Sequence, residues 1–124
     1  MNTILLSIKP EYVENILKGS KKYEYRKRLA SQKISAIIIY STWPESKIVG
    51  EVQVCGTISA SPFELWKKTK KNAGISREKY KEYFNGTKTA HAYILGNIVK
   101  YDTPKDITEY GLAHAPQSFA YFYC

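Results

Sequence analysis

The chain has 124 residues, 44% of them hydrophobic, and its 19 Lys and Arg against 11 Asp and Glu leave a net charge of +8. That length holds one domain over residues 1–124 with little room for a second core, and the composition is too apolar for a disordered chain. The charge speaks about partners, not about fold: it points to an anionic partner and leaves phosphate backbones, anionic membranes and acidic proteins open.

In chain order, Thr3 to Ile8 reads as a first strand. Pro10 suits the first position of a helix, Tyr12, Val13, Ile16 and Leu17 share one helical face, and Gly19 supplies the stop. Lys21 to Lys27 alternates as a strand, with Tyr23 and Tyr25 on one side and Lys22, Glu24 and Arg26 on the other. Ser35 to Ser41 carries Ile37-Ile38-Ile39, a run suited to a central strand buried on both faces. A turn at Pro44 leaves Trp43 at the strand end. Lys47 to Ser59 is a long strand in which Gly50 and Gly56 mark bulges or bends.

Two short helices follow. Ser61-Pro62-Phe63-Glu64 has the pattern of a capping box, with Phe63 and Trp66 as the apolar side. Ser76 caps the second, whose stripe is Tyr80, Tyr83 and Phe84, and Asn85-Gly86 ends it. Ala90 to Tyr101 returns to strand, interrupted at Gly96-Asn97. Thr103 to Ala115 is loop or a single helical turn, and Gln117 to Tyr123 closes as an aromatic strand. The order β-α-β-β-β, two helices, β-β predicts an α+β domain built as a small, partly open barrel of mixed strands.

The apolar run Ile4-Leu5-Leu6 is shorter than a signal-peptide core, and Ala36 to Tyr40 is far too short to span a bilayer. Cys55 and Cys124 form no CxxC pair, and His91 and His114 lack ligand spacing. The expectation is a cytoplasmic, reduced protein, off the membrane, monomeric or weakly dimeric, with no metal and no cofactor.

Cations gather in two windows. Lys18 to Lys33 holds seven against Glu24, and Lys67 to Lys81 holds seven more against Glu78. Tyr23, Tyr25, Trp43 and Trp66 lie close by. Basic grooves edged by rings hold single strands, because a ring accepts the face of any base. Trp66 is expected in the core, whereas Trp43 on its Pro turn is placed equally well inside or outside. Within the first window, Glu24 and Arg26 stand two apart in a strand, so they share a face and can pair.

The stretch Gly19-Ser20-Lys21-Lys22-Tyr23-Glu24-Tyr25-Arg26 fits GxKxxExR, and in this it resembles the ASCH domain family of the PUA-like superfamily. The likeness extends to Leu6-Ser7-Ile8-Lys9-Pro10, Tyr40-Ser41-Thr42, Val49-Gly50-Glu51, Glu64-Leu65-Trp66 and Ala115-Pro116-Gln117-Ser118-Phe119, as in stand-alone ASCH proteins. The resemblance implies a PUA-like mixed β-barrel with a cleft beside the first helix, lined by the signature residues, and an RNA-binding role. Phosphates would meet Lys9, Lys21, Arg26, Lys27, Lys67, Lys68, Lys70 and Lys71. An unstacked or modified nucleotide would sit near Glu24, Ser41 and Trp43, with Gln117 and Ser118 as polar contacts. Some relatives in this family are enzymes, either ribonucleases or amidohydrolases that deacylate N4-acetylcytidine. In the deacylating group a threonine nucleophile stands where this chain has Glu24, beside a lysine matching Lys21. Lys21 and Glu24 are therefore the candidates if the chain is catalytic. A nucleotide or nucleoside ligand is the alternative to an RNA partner.

Overall fold

The computed structural model describes residues 2–116 and, as backbone, 119–122. β1 (Asn2–Ile8) leads into α1 (Pro10–Leu17), then β2 (Tyr23–Arg26), β3 (Ile34–Ser41) and β4 (Lys47–Ala60). Helices α2 (Pro62–Thr69) and α3 (Arg77–Phe84) precede β5 (Ala90–Lys105), a short 3-10 turn at Ile107–Tyr110, and β6 (Phe119–Phe122). The expected order of elements is the observed one.

All six strands join one mixed sheet in the order β2-β5-β4-β3-β1-β6. Only the β1–β3 pair is parallel, with Leu5 opposite Ile38, and α1 lies in the long connection that a parallel pair requires. β2 and β6 are the two ends of this order, so among the described residues the ladder is open and does not close into a barrel.

The isoleucine run of β3 divides its side chains between two cores. Ile37 and Ile39 pack with Ile4, Leu6, Val13 and Ile16 under α1. Ile38 packs on the other face with Leu5, Tyr40 and Ile48, under the 3-10 turn. A strand buried on both faces is continuously apolar for this reason. A third cluster, with Leu65, Tyr80, Phe84 and Tyr25, holds α2 and α3 against the end of the sheet.

The glycines of the long strands mark irregularities. Pairing of β4 with β5 shifts register between Ile48 and Gly50 and between Val54 and Gly56. At Gly50 a Cβ would lie 2.6 Å from the Val99 carbonyl oxygen, so only glycine allows that approach.

Two expectations need correction. The buried face of α2 is Leu65 and Thr69, while Phe63 is 67% exposed. Residues four apart share a helical face, and Phe63 lies away from that pair. β5 also runs on to Lys105, four residues past Tyr101, because its pairing with β4 resumes at Ile48 beyond the bulge. No helix is long and apolar enough to cross a membrane among the described residues.

Candidate nucleotide cleft

A cleft of about 440 Å³ opens between the end of β1, α1, β2 and α3. Its chemistry centres on Lys21, which is only 3% exposed. The Lys21 ammonium donates to the Ala73 carbonyl at 2.8 Å and lies 4.8 Å from the centre of the Tyr25 ring and 5.4 Å from that of Tyr12. Two rings and one carbonyl compensate a charge that has left water. Burial still draws the Lys21 pKa below its ordinary 10.5, against the opposing pull of Glu24.

Local sequence fixes this lysine. Gly19 leaves α1 at φ +86°, and the Ser20 and Lys21 amides both donate to the Asn15 carbonyl at 3.0 Å. The Asn15 amide group reaches across to the Gly74 carbonyl at 3.2 Å. Gly74 sits at φ +63°, and a Cβ there would overlap the Lys21 Cβ. The Ala73-Gly74 corner is thus shaped around the lysine stem.

Glu24 is 6% exposed. Arg26 Nε donates to Glu24 Oε2 at 3.1 Å, and a terminal guanidinium nitrogen donates to the Ser7 carbonyl at 2.9 Å. Ser7 Oγ donates in turn to the Pro116 carbonyl at 2.7 Å. Alternation along β2 places Glu24 and Arg26 on one face, as expected. Tyr25, expected on the opposite side, also lines the cleft. Its hydroxyl donates to Thr69 Oγ1 at 2.6 Å, since the Thr69 hydrogen is given to the Leu65 carbonyl. Burial pushes the Tyr25 phenol well above its usual range.

Of the sequence-predicted residues, Lys9, Lys21, Glu24 and Arg26 line this one cleft. Lys27 stands at its edge, its ammonium 5.0 Å from the centre of the Tyr83 ring and its amide donating to the Tyr83 hydroxyl at 3.3 Å. Lys67 and Lys68 are exposed on α2, and Lys70 and Lys71 on the 3-10 turn Lys70–Asn72 that follows it. The two basic windows meet at that turn, where the Lys22 amide donates to the Asn72 carbonyl at 2.9 Å.

Ser41 and Trp43 are not brought to the cleft. Ser41 lines a separate hollow with Val13, Leu17 and Tyr101, and its buried hydroxyl has no partner among the described residues. Trp43 is 83% exposed on its turn. Gln117 and Ser118 lie outside the described residues. The structure adds Tyr12, Lys79, Glu82 and Tyr83 to the wall. Lys79 is tied to Glu11 at 3.2 Å. Tyr12 and Tyr83 carried a visible signal only as helical apolar positions, which core residues share.

The fold and this signature-lined cleft define a member of the ASCH domain family, whose profile matches residues 6–103; the chain belongs to that family. Among characterised relatives, it is 32% identical over 92 residues to an ASCH domain-containing ribonuclease of Zymomonas mobilis, covering 73% of this chain and 62% of that protein. The crystal structure of ASCH from Zymomonas mobilis superposes with a TM-score of 0.89 at 25% identity, over 98% of this chain and 87% of that one. A large ribosomal subunit protein uL22 of Ureaplasma parvum is 29% identical over 120 residues, or 96% of this chain. There the chain spans only 39% of the relative's length.

Proposed function

We propose that this chain binds RNA and holds one unstacked nucleotide in the cleft beside α1. The observation that carries the reading is the convergence of a buried ammonium and a nearly buried carboxylate on one cleft walled by tyrosines. Lys9, Lys21, Arg26 and Lys79 there outnumber Glu24 and Glu82, so the cleft favours a phosphate. Glu24 supplies an acceptor for the amino edge of a base, and Tyr12 and Tyr83 supply faces for stacking. The ribonuclease relative supports RNA as the partner class. A base in this cleft must be out of its stack, which favours single strands, loops and modified positions.

The test is affinity for a short single-stranded RNA. Arg26→Ala should weaken binding about tenfold, because it removes a cation and frees Glu24 to repel phosphate. Glu24→Gln should change base preference more than overall affinity. Unchanged binding in both variants would remove the cleft from the account.

RNA cleavage is the second reading, favoured by the same relative and by a buried lysine, Lys21, lining the cleft. A buried lysine can stabilise the charge that develops on a phosphate during transfer. In that case RNA is shortened by the wild-type chain, and Lys21→Met abolishes the cleavage. Deacylation of N4-acetylcytidine fits this chain poorly. A carboxylate held by Arg26 at 3.1 Å is a weak nucleophile toward an amide where a hydroxyl is needed. Incubation with N4-acetylcytidine should release little cytidine; fast turnover abolished by Glu24→Gln would reverse that assignment.

A further inference from the structure

The cleft uses only one side of α3. Lys79, Glu82 and Tyr83 line it, whereas Arg77, Tyr80, Lys81 and Phe84 turn to a second hollow shared with Phe63 and Trp66 of α2. From this arrangement we infer a second subsite for RNA, in which an unpaired base stacks on Phe63 in the slot between α2 and α3. This deepens the RNA-binding reading and rests on it.

The slot measures about 170 Å³, well below the roughly 300–1,000 Å³ of pockets that enclose larger ligands, and suits a single planar ring. Its lining includes a packed cluster of tilted and edge-to-face rings. Trp66 and Tyr80 have ring centres 4.7 Å apart, and Tyr80 and Phe84 have theirs 4.9 Å apart. The Tyr80 hydroxyl donates to the Pro62 carbonyl at 2.7 Å, which ties α3 to the start of α2 beside the slot. Phe63 borders the same slot, 67% exposed. No fold requirement puts a phenyl ring in water there, since Leu65 and Thr69 already supply the buried face of α2.

The rim decides the occupant. Lys67 holds its ammonium 5.5 Å from the centre of the Phe63 ring, and Arg77 and Lys81 border the slot from α3. An apolar protein surface docking here would desolvate three cations with nothing to pair them. A nucleotide brings a phosphate with each ring it buries, so ring and charge are met together. The width of one helix, about 10–12 Å, separates slot from cleft. At about 3.4 Å per stacked nucleotide, three or four nucleotides cross it, so one strand can engage both sides of α3.

The experiment titrates the full chain with an eight-nucleotide single-stranded RNA and with a duplex of the same length. Phe63→Ala should raise the single-strand Kd about tenfold, and Phe63→Trp should preserve it, while duplex affinity changes little. In a Trp43→Phe background Trp66 is the sole tryptophan, and the single strand should quench its emission. Unchanged single-strand affinity in Phe63→Ala, or constant Trp66 emission, overturns the subsite. If Arg26→Ala still weakens binding in that case, the cleft stands and only the slot falls. Absence of any RNA binding at low salt overturns both. Self-association lost in Phe63→Ala, with RNA affinity intact, would make the slot a protein-docking surface instead.

Discussion

Lys21 and Gly74 constrain each other. Gly74 holds a left-handed backbone and leaves no room for a methyl group beside the Lys21 stem, whereas Gly19, also left-handed, has open space around its Cα. The two glycines therefore separate strain from overlap. Gly19→Ala should cost only the left-handed penalty of about 1–2 kcal/mol. Gly74→Ala should add about 1–3 kcal/mol of overpacking and displace Lys21 from its carbonyl. Urea midpoints compare the two, and equal losses would mean that the corner is not shaped around the lysine. The signature residues of the cleft were legible because a glycine stop and a two-residue strand period put Lys21, Glu24 and Arg26 together. Asn15, Ala73 and Gly74 were not, since their role depends on a contact between segments more than fifty residues apart. The misplacement of Ser41 has a related cause. Its strand ends near α1, but on the side of Val13 and Leu17 away from Lys21.

At the scale of elements, caps and stops in the sequence located the helices well. Ser61 and Ser76 each accept the backbone amide three residues on, at 3.2 Å. What the sequence did not disclose was which face of α2 is buried, because Phe63 and Trp66 outrank Leu65 in size and Thr69 is polar. Thr69 is buried only because Tyr25 and the Leu65 carbonyl take up its hydroxyl. The α2–α3 pair should show itself in the pH dependence of stability. Burial pushes the Tyr80 phenol from 10.0 up to about 12. Between those values the unfolded chain has released a proton that the folded chain keeps, so stability present below pH 10 is lost as pH rises towards 12. Lys21 opposes this: its lowered pKa makes the unfolded chain the better proton binder up to 10.5, so its own contribution rises with pH in that window. Chemical denaturation across this range should therefore give a shallower alkaline decline in Tyr80→Phe than in the wild type. Parallel curves would mean that Tyr80 ionises equally easily in both states.

Across the whole molecule, the open sheet brings together two basic windows that are remote in sequence. The 3-10 turn Lys70–Asn72 accepts the amide of Lys22, the residue just before β2, so the cations after α2 stand beside those of the first window. The composition made the excess of positive charge legible, and the alternation of elements made the order of the fold legible. The open ends of the sheet followed from pairing partners that no local pattern encodes. Replacing Lys67, Lys68, Lys70 and Lys71 by Ala should weaken binding of all RNA sequences alike, without altering base preference, as expected for contacts to the backbone. A competition assay over several oligonucleotides checks this, and a change confined to one sequence would contradict it.

If charge on this face holds RNA through its phosphates, with Arg26 among the contacts, affinity must depend on salt. Binding of single-stranded RNA is measured from low to physiological salt in the wild type and in Arg26→Ala. Log K should fall linearly with log salt, and the slope should be shallower in Arg26→Ala by about 0.7, the value for one phosphate contact on a single strand. A wild-type affinity that does not respond to salt would contradict it, and so would identical slopes in the two proteins.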